Sequence, residues 1–199
     1  KRRLLELETV AQTNGPGWTL DYVYNANGHP ASLKYPSNLV VDFAPNALGQ
    51  ATQAGTYATG VSYHPNGAIQ QFTYGNGLVH TLTQNVRGLP DRSLDTFGSA
   101  AVLDDSYDFD ENGNVGSIID GLPGARGTRT MVYDGLDRLT SAASVMFNPT
   151  TGGPATFTYD VLDNLKRVKV GSRDHTYVYD TKQRLDRVTN TTGGATVTT

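Results

Sequence analysis

The chain has 199 residues, no cysteine, and 16 Lys and Arg against 19 Asp and Glu for a net charge of −3. That length fits one large domain or two small ones, and the balanced charge supplies no basic stripe for a phosphate backbone, so nucleic-acid binding is not expected. Without cysteine a disulfide framework and thiolate metal sites are excluded, and no apolar run approaches the ~20 residues of a membrane-spanning helix.

Hydrophobic residues make up only 37%, while Gly (22) and Tyr (11) are plentiful, a mix that suits short strands joined by tight turns. The chain opens on Lys1-Arg2-Arg3, shows no signal-peptide pattern, and runs out through Thr/Gly-rich Thr191–Thr199. It is read as an internal fragment of a longer chain.

Arg2–Val10 fits either a helix or, through Leu5, Leu7 and Thr9, a strand; Leu4 is assigned to a further repeat copy. From Trp18 onward the pattern is regular. Trp18, Leu20, Tyr22 and Tyr24 alternate, which places them on one face of a strand. Asn27-Gly28 follows, read as the positive-φ pair of a tight hairpin turn, and Tyr35-Pro36-Ser37-Asn38 makes a second turn. Asn46–Gly49 echoes the first. Residues 22–53 then lie without a gap over residues 61–92, offset by 39, so that Tyr24 matches Tyr63, Gly28 matches Gly67 and Gly49 matches Gly88.

Further on, Tyr107 and Phe109 precede Asn112-Gly113, and a cassette repeats as YDGLDRL (Tyr133–Leu139), YDVLDNL (Tyr159–Leu165) and YDTKQRL (Tyr179–Leu185). Met131, Phe157 and Tyr177 supply the upstream alternation, and Ile69, Val115, Leu139, Leu165 and Leu185 open the returning strands. Parity slips after each turn, as between Ile69 and Phe72 or Leu165 and Val168, which fits either a bulge or a sheet buried on both faces. Strands of ~5–9 residues are expected. Gly121–Gly127 and Asn148–Pro154 read as longer hairpin loops.

The turn markers are Gly28, Gly49, Gly67, Gly88, Gly113, Asp137, Asp163 and Gln183, spaced 18 to 26 residues apart. One such repeat cannot bury its own apolar face. The expected organisation is therefore a single continuous array of about eight hairpin repeats over residues 1–199. Its structural positions are Tyr24, Gly28, Tyr63, Gly67, Phe109, Gly113, Tyr133, Asp134, Leu139, Tyr159, Asp160, Leu165, Tyr179, Asp180 and Leu185.

Chemistry-bearing patterns are few. Asp108, Asp110 and Asn112 match the opening of a calcium loop, a weak metal candidate, but Ile119 stands where a bidentate Glu is required. The cassette acids Asp110, Asp134, Asp160 and Asp180 are read as turn caps, because Asn25, Asn46 and Asn85 share their register and an amide cannot act as a general base. Arg138 and Arg184 are expected to pair with neighbouring acids or to lie over tyrosine rings. His29, His64, His80 and His175 show no ligand spacing, and Asp174-His175 is placed in a turn with no assignable nucleophile. No cofactor and no enzymatic activity are expected.

The cassettes with their upstream aromatics resemble the YD repeats of the bacterial RHS family, from about Leu4 to Val188; Gln84-Asn85 and Pro45-Asn46 stand where that pattern has Tyr-Asp. The resemblance implies an all-β array of antiparallel hairpins wound into a curved, spiralling sheet, a segment of a hollow β-shell. It implies a structural role in enclosing a C-terminal toxin or cargo in a secreted or cell-surface protein. The implied partners are flanking repeats, that cargo and secretion machinery. Two other readings stand beside it: aromatic hairpins that bind cell-surface carbohydrate, disfavoured by the single Trp18, and a β-propeller, whose blades recur at ~40 residues but at steadier spacing.

Overall fold

The computed structural model describes residues 3–122, 127–146, 153–191 and 197–198. Among these residues every regular element is a strand. In chain order they are β1 (Leu7–Val10), β2 (Trp18–Tyr24), β3 (Pro30–Lys34), β4 (Val40–Asp42), β5 (Ala58–Tyr63), β6 (Ile69–Tyr74), β7 (Val79–Gln84), β8 (Pro90–Phe97) and β9 (Ala100–Phe109). They continue as β10 (Val115–Asp120), β11 (Arg129–Tyr133), β12 (Leu139–Ala143), β13 (Ala155–Tyr159), β14 (Leu165–Val170), β15 (Arg173–Tyr179), β16 (Leu185–Asn190) and β17 (Val197–Thr198). Within each sheet, sequence neighbours are sheet neighbours: β1–β4 form a four-stranded sheet and β5–β17 a 13-stranded one. The all-β hairpin array expected from the sequence is thus present. The propeller alternative is corrected, because a 13-stranded ladder is not a set of four-stranded blades.

The chain forms two compact units, one of Lys1–Thr83 with Ser93–Val102 and one of Gln84–Arg92 with Leu103–Thr199. In the first unit, the Arg2–Val10 ambiguity resolves in favour of a strand over Leu7–Val10, paired with β2 from Leu7↔Asp21 to Val10↔Trp18. The 39-residue offset is kept by the turns but not by the strands: β7 has six residues, its counterpart β4 only three. Ala44 with φ 40° and Pro45, which has no N–H to donate, reduce the following hairpin to one bridge, Pro45↔Ala51.

In the second unit alternation is clean in β11 and β13. Met131 and Tyr133, and Phe157 and Tyr159, are half-buried while Val132 and Thr158 between them are exposed. Burial of apolar residues is rare among those described; Ala142 and Ala155, cross-strand partners in β12 and β13, supply it here, as Val41 does in the first unit. The Gly121–Gly127 and Asn148–Pro154 loops lie largely outside the described residues. Asp174 and His175 belong to β15, not to a turn as expected, because the turn is made earlier, before Arg173.

A bulge accounts for the parity slip. Tyr159 pairs with Leu165 but Thr158 pairs with Arg167, leaving Lys166 as the extra residue. The same step recurs at Tyr24, Tyr63, Phe109, Tyr133 and Tyr179. Each returning strand therefore switches face one residue after its leading aliphatic residue.

The turn edge as candidate functional site

Each cassette turn spans five residues closed by two backbone bonds. In Asp134–Arg138, the Asp137 amide donates to Asp134 O and the Asp134 amide to Arg138 O, both at 3.0 Å. The same pair of bonds closes the turns that begin at Asn25, Asn46, His64, Asn85, Asp110, Asp160 and Asp180. Positive φ falls on the fourth residue alone, 81° at Gly28 and 60° at Asp137. This is a type I turn followed by one left-handed residue, so the Asn of Asn-Gly does not share the positive φ that the sequence reading gave it. The second-edge turns behave alike, with Asn38 at 64° and Gly77 at 87°.

The first residue caps the turn. Asp160 Oδ1 accepts from the Leu162 amide at 2.8 Å and the Asn164 amide at 2.9 Å. Asp134 does so with Leu136 and Arg138, Asp180 with Lys182 and Arg184, and Asn25, Asn46 and Asn85 in the same way. The carboxylates also hold the fifth side chain: Arg138 Nε reaches Asp134 Oδ2 at 2.8 Å and Asn164 Nδ2 reaches Asp160 Oδ2 at 3.0 Å. The Arg138 side-chain bond, helped by backbone amides, holds the Asp134 carboxyl below its usual range, and the Asn164 side chain does the same for Asp160. For Asp180 the Arg184 amide acts first and the Arg184 side chain second.

Two contacts then join one hairpin to the next. The first is a tyrosine latch, in which the phenol before five of the turns donates to a backbone carbonyl earlier in the chain, while Pro45, Gln84 and Phe109 hold that position before the other three. In the second unit Tyr133 reaches Val115 O at 3.2 Å, Tyr159 reaches Leu139 O at 2.9 Å and Tyr179 reaches Leu165 O at 3.0 Å. In the first unit Tyr63 reaches Ala51 O at 2.6 Å and Tyr24 reaches Leu5 O at 2.9 Å. A tyrosine suits this role because its ring packs on the strand face while its hydroxyl finds a partner. Burial and the nearby Asp110 charge push the Tyr133 phenol up.

The second contact runs from the fifth residue of one turn to the fourth of the next. In the second unit Asn114 Nδ2 donates to Asp137 Oδ1 at 2.7 Å, Arg138 Nη1 to Asp163 Oδ1 at 2.7 Å, and Asn164 Nδ2 to Gln183 Oε1 at 3.1 Å. In the first unit the receiving residue is glycine and the donor packs over it: a Cβ on Gly49 would meet His29 Cδ2 at 2.8 Å, and one on Gly67 would lie 3.9 Å from Gln50 Nε2. The replacement of Gly by Asp137, Asp163 and Gln183 therefore has a reason. Each accepts left-handed backbone and in return supplies an acceptor to its neighbour.

The other singled-out residues fall into place around this ladder. Arg138 does both things expected of it, pairing with Asp134 and lying 4.9 Å over the Tyr159 ring. Arg184 pairs with Asp180 at 2.8 Å. Asp110 gives both oxygens to Asn114, Asn112 turns its amide to Asp137, and Asp108 stands opposite Ser117 in the β9–β10 ladder, so the three point to different partners. Among the described residues no three His, Cys, Asp or Glu gather as a metal cluster would require. Cross-strand pairs that the sequence did not single out include His80 Nδ1–Asp95 at 2.6 Å, Arg129–Asp105 at 2.7 Å and Arg92–Asp104 at 2.7 Å.

These contacts define an all-β array of antiparallel hairpins whose neighbours interlock through side chains at the turns. Solved structures share that fold. The chain matches "Crystal Structure of TcdB2-TccC3 without hypervariable C-terminal region" with TM-score 0.72 at 16% identity, covering 88% of this chain and 10% of that one. It matches the TcdB2-TccC3-Cdc42 crystal structure with TM-score 0.68 at 14% identity, covering 87% and 12%. A structure of the Photorhabdus luminescens Tc holotoxin pore gives TM-score 0.66 at 14% identity, again 87% and 12%. The chain thus spans about a tenth of the length of these toxin-complex chains, and they agree with the RHS/YD resemblance of its cassettes. Neither a protein-family model nor a curated protein matches the sequence.

Proposed function

We propose that this chain is a wall segment of an RHS/YD-repeat shell. In this reading about eight hairpins of one continuous array help to enclose and present a C-terminal toxin or cargo, with no catalysis of their own. The observation that carries it is the interlock: five cassette turns pass a side chain onto the fourth residue of the next, as Arg138 does onto Asp163. A residue set spent on neighbour contact builds a wall, and stability in such arrays comes from nearest-neighbour interfaces. The toxin-complex chains that share the fold support the cargo assignment, and with it a secreted or cell-surface location. Flanking repeats of the same polypeptide and secretion machinery are the proposed partners. Cassette hydroxyls bound to carbonyls favour packing over sugar stacking as the purpose of the tyrosines.

The test is limited proteolysis of the full polypeptide beside a variant lacking residues 133–190. The cargo should resist protease in the first and be digested in the second. Equal protection in both would remove the enclosing role.

A further inference from the structure

We propose that the turns Asp134–Arg138, Asp160–Asn164 and Asp180–Arg184 form an acid-released seam, set apart from the Asn25 and Asn46 turns, whose caps hold in acid. This inference does not depend on the shell reading. All five turns share one cap geometry, in which a single side-chain oxygen accepts two backbone N–H groups. They differ in the chemistry of that oxygen. The amides of Asn25 and Asn46 do not titrate, whereas a protonated carboxyl turns one oxygen into a donor and gives up the charge that strengthens its bonds.

The surroundings of each acid favour the ionised form. Asp134 faces Arg138, which also holds Asp163 of the next turn, and Asp137 beside it is bound by Asn112 and Asn114. Asp160 has Asn164 in its own turn, Lys166 on β14, Asp163 nearby and the Arg138 guanidinium on its backbone oxygen. Asp180 has Arg184, Lys182 in its own turn, and the Asn164–Gln183 bond alongside.

All three carboxyls accordingly sit below their ordinary range. With folded-state values depressed, the caps are fully formed above the ordinary carboxylate value of about 4 and are lost as pH falls through the lower, folded one. Loss at one turn reaches the next because the donors are shared. Arg138 serves both Asp134 and Asp163, and Asn164 serves both Asp160 and Gln183. The seam is closed at neutral and mildly acidic pH and opens only in strong acid.

Hydrogen exchange by mass spectrometry on the full polypeptide, from pH 7 down to 2.5 and corrected for intrinsic rates, tests this. Peptides covering 134–138, 160–164 and 180–184 should exchange severalfold faster at the acid end of this range, below the ordinary carboxylate value of about 4, while 25–29 and 46–50 keep their protection. Both sets responding together, or neither responding, overturns the proposal. The triple variant Asp134→Asn, Asp160→Asn, Asp180→Asn should keep its caps at pH 7 and lose the acid step. An acid step that persists in that variant also overturns it.

Discussion

The left-handed fourth residue offers a prediction whose sign is unusual. Asp163 has φ +66° and its side chain, 68% exposed, accepts from Arg138. Replacing it by Ala or by Gly removes the same acceptor, so the difference between the two variants isolates the backbone. Ala in a left-handed conformation costs roughly 1–2 kcal/mol, which Gly does not incur. Gly in turn loses about 0.4–1 kcal/mol relative to Ala through the larger freedom of its unfolded chain. The first effect wins, and Asp163→Gly should be more stable than Asp163→Ala by roughly 0.5–1 kcal/mol. In a domain of this size that is a Tm difference of about 1–4 °C, resolved by paired thermal melts or urea titrations with matched slopes. At an unstrained surface position the order is reversed. Asp163→Ala equal to or more stable than Asp163→Gly would refute the assignment of Asp137, Asp163 and Gln183 as strained acceptors.

Three further outcomes follow from the same geometry. Tyr159→Phe removes the 2.9 Å bond to Leu139 O while keeping the ring under Arg138, and should destabilise by about 1 kcal/mol in denaturant titration. Gly49→Ala should destabilise more than Gly60→Ala: both sites have positive φ, but the new Cβ meets His29 Cδ2 at 2.8 Å in the first and open space in the second. Adding His29→Ala should bring the Gly49→Ala melt towards that of Gly60→Ala. With the Tyr133 phenol pushed up by burial, its share of stability is complete below the ordinary value of about 10 and is lost as pH rises through the folded one. An ultraviolet titration should show a late-ionising tyrosine that Tyr133→Phe removes.

The hairpins were legible because their signals are local. Alternation before Tyr133 and Tyr159, Asx at the first turn residue and Gly at the fourth are all set within one turn of chain, and the observed caps follow them. The parity slip was legible as an alternative, and register decided it in favour of a bulge. Two things were lost in the sequence. The hairpin after Phe43 shrinks to the Pro45↔Ala51 bridge although its Asn46 cap survives, because a missing N–H weakens pairing without affecting the turn. The ladder joins residues 17 to 25 positions apart, as in Gln50–Gly67, Asn164–Gln183 and Arg138–Asp163, beyond the reach of periodicity. A signal did exist: wherever Gly gives way to Asp or Gln at the fourth position, the preceding turn ends in Asn or Arg.

We take these hairpins to be a wall built from neighbour contacts. A cryo-electron microscopy structure of the full polypeptide tests it most directly. It should show an unbroken hairpin wall in which Arg138 meets Asp163 and Asn164 meets Gln183, bounding a cavity that holds the C-terminal segment. A closed ring of four-stranded blades, or a solid domain with the C-terminal segment outside it, would contradict it.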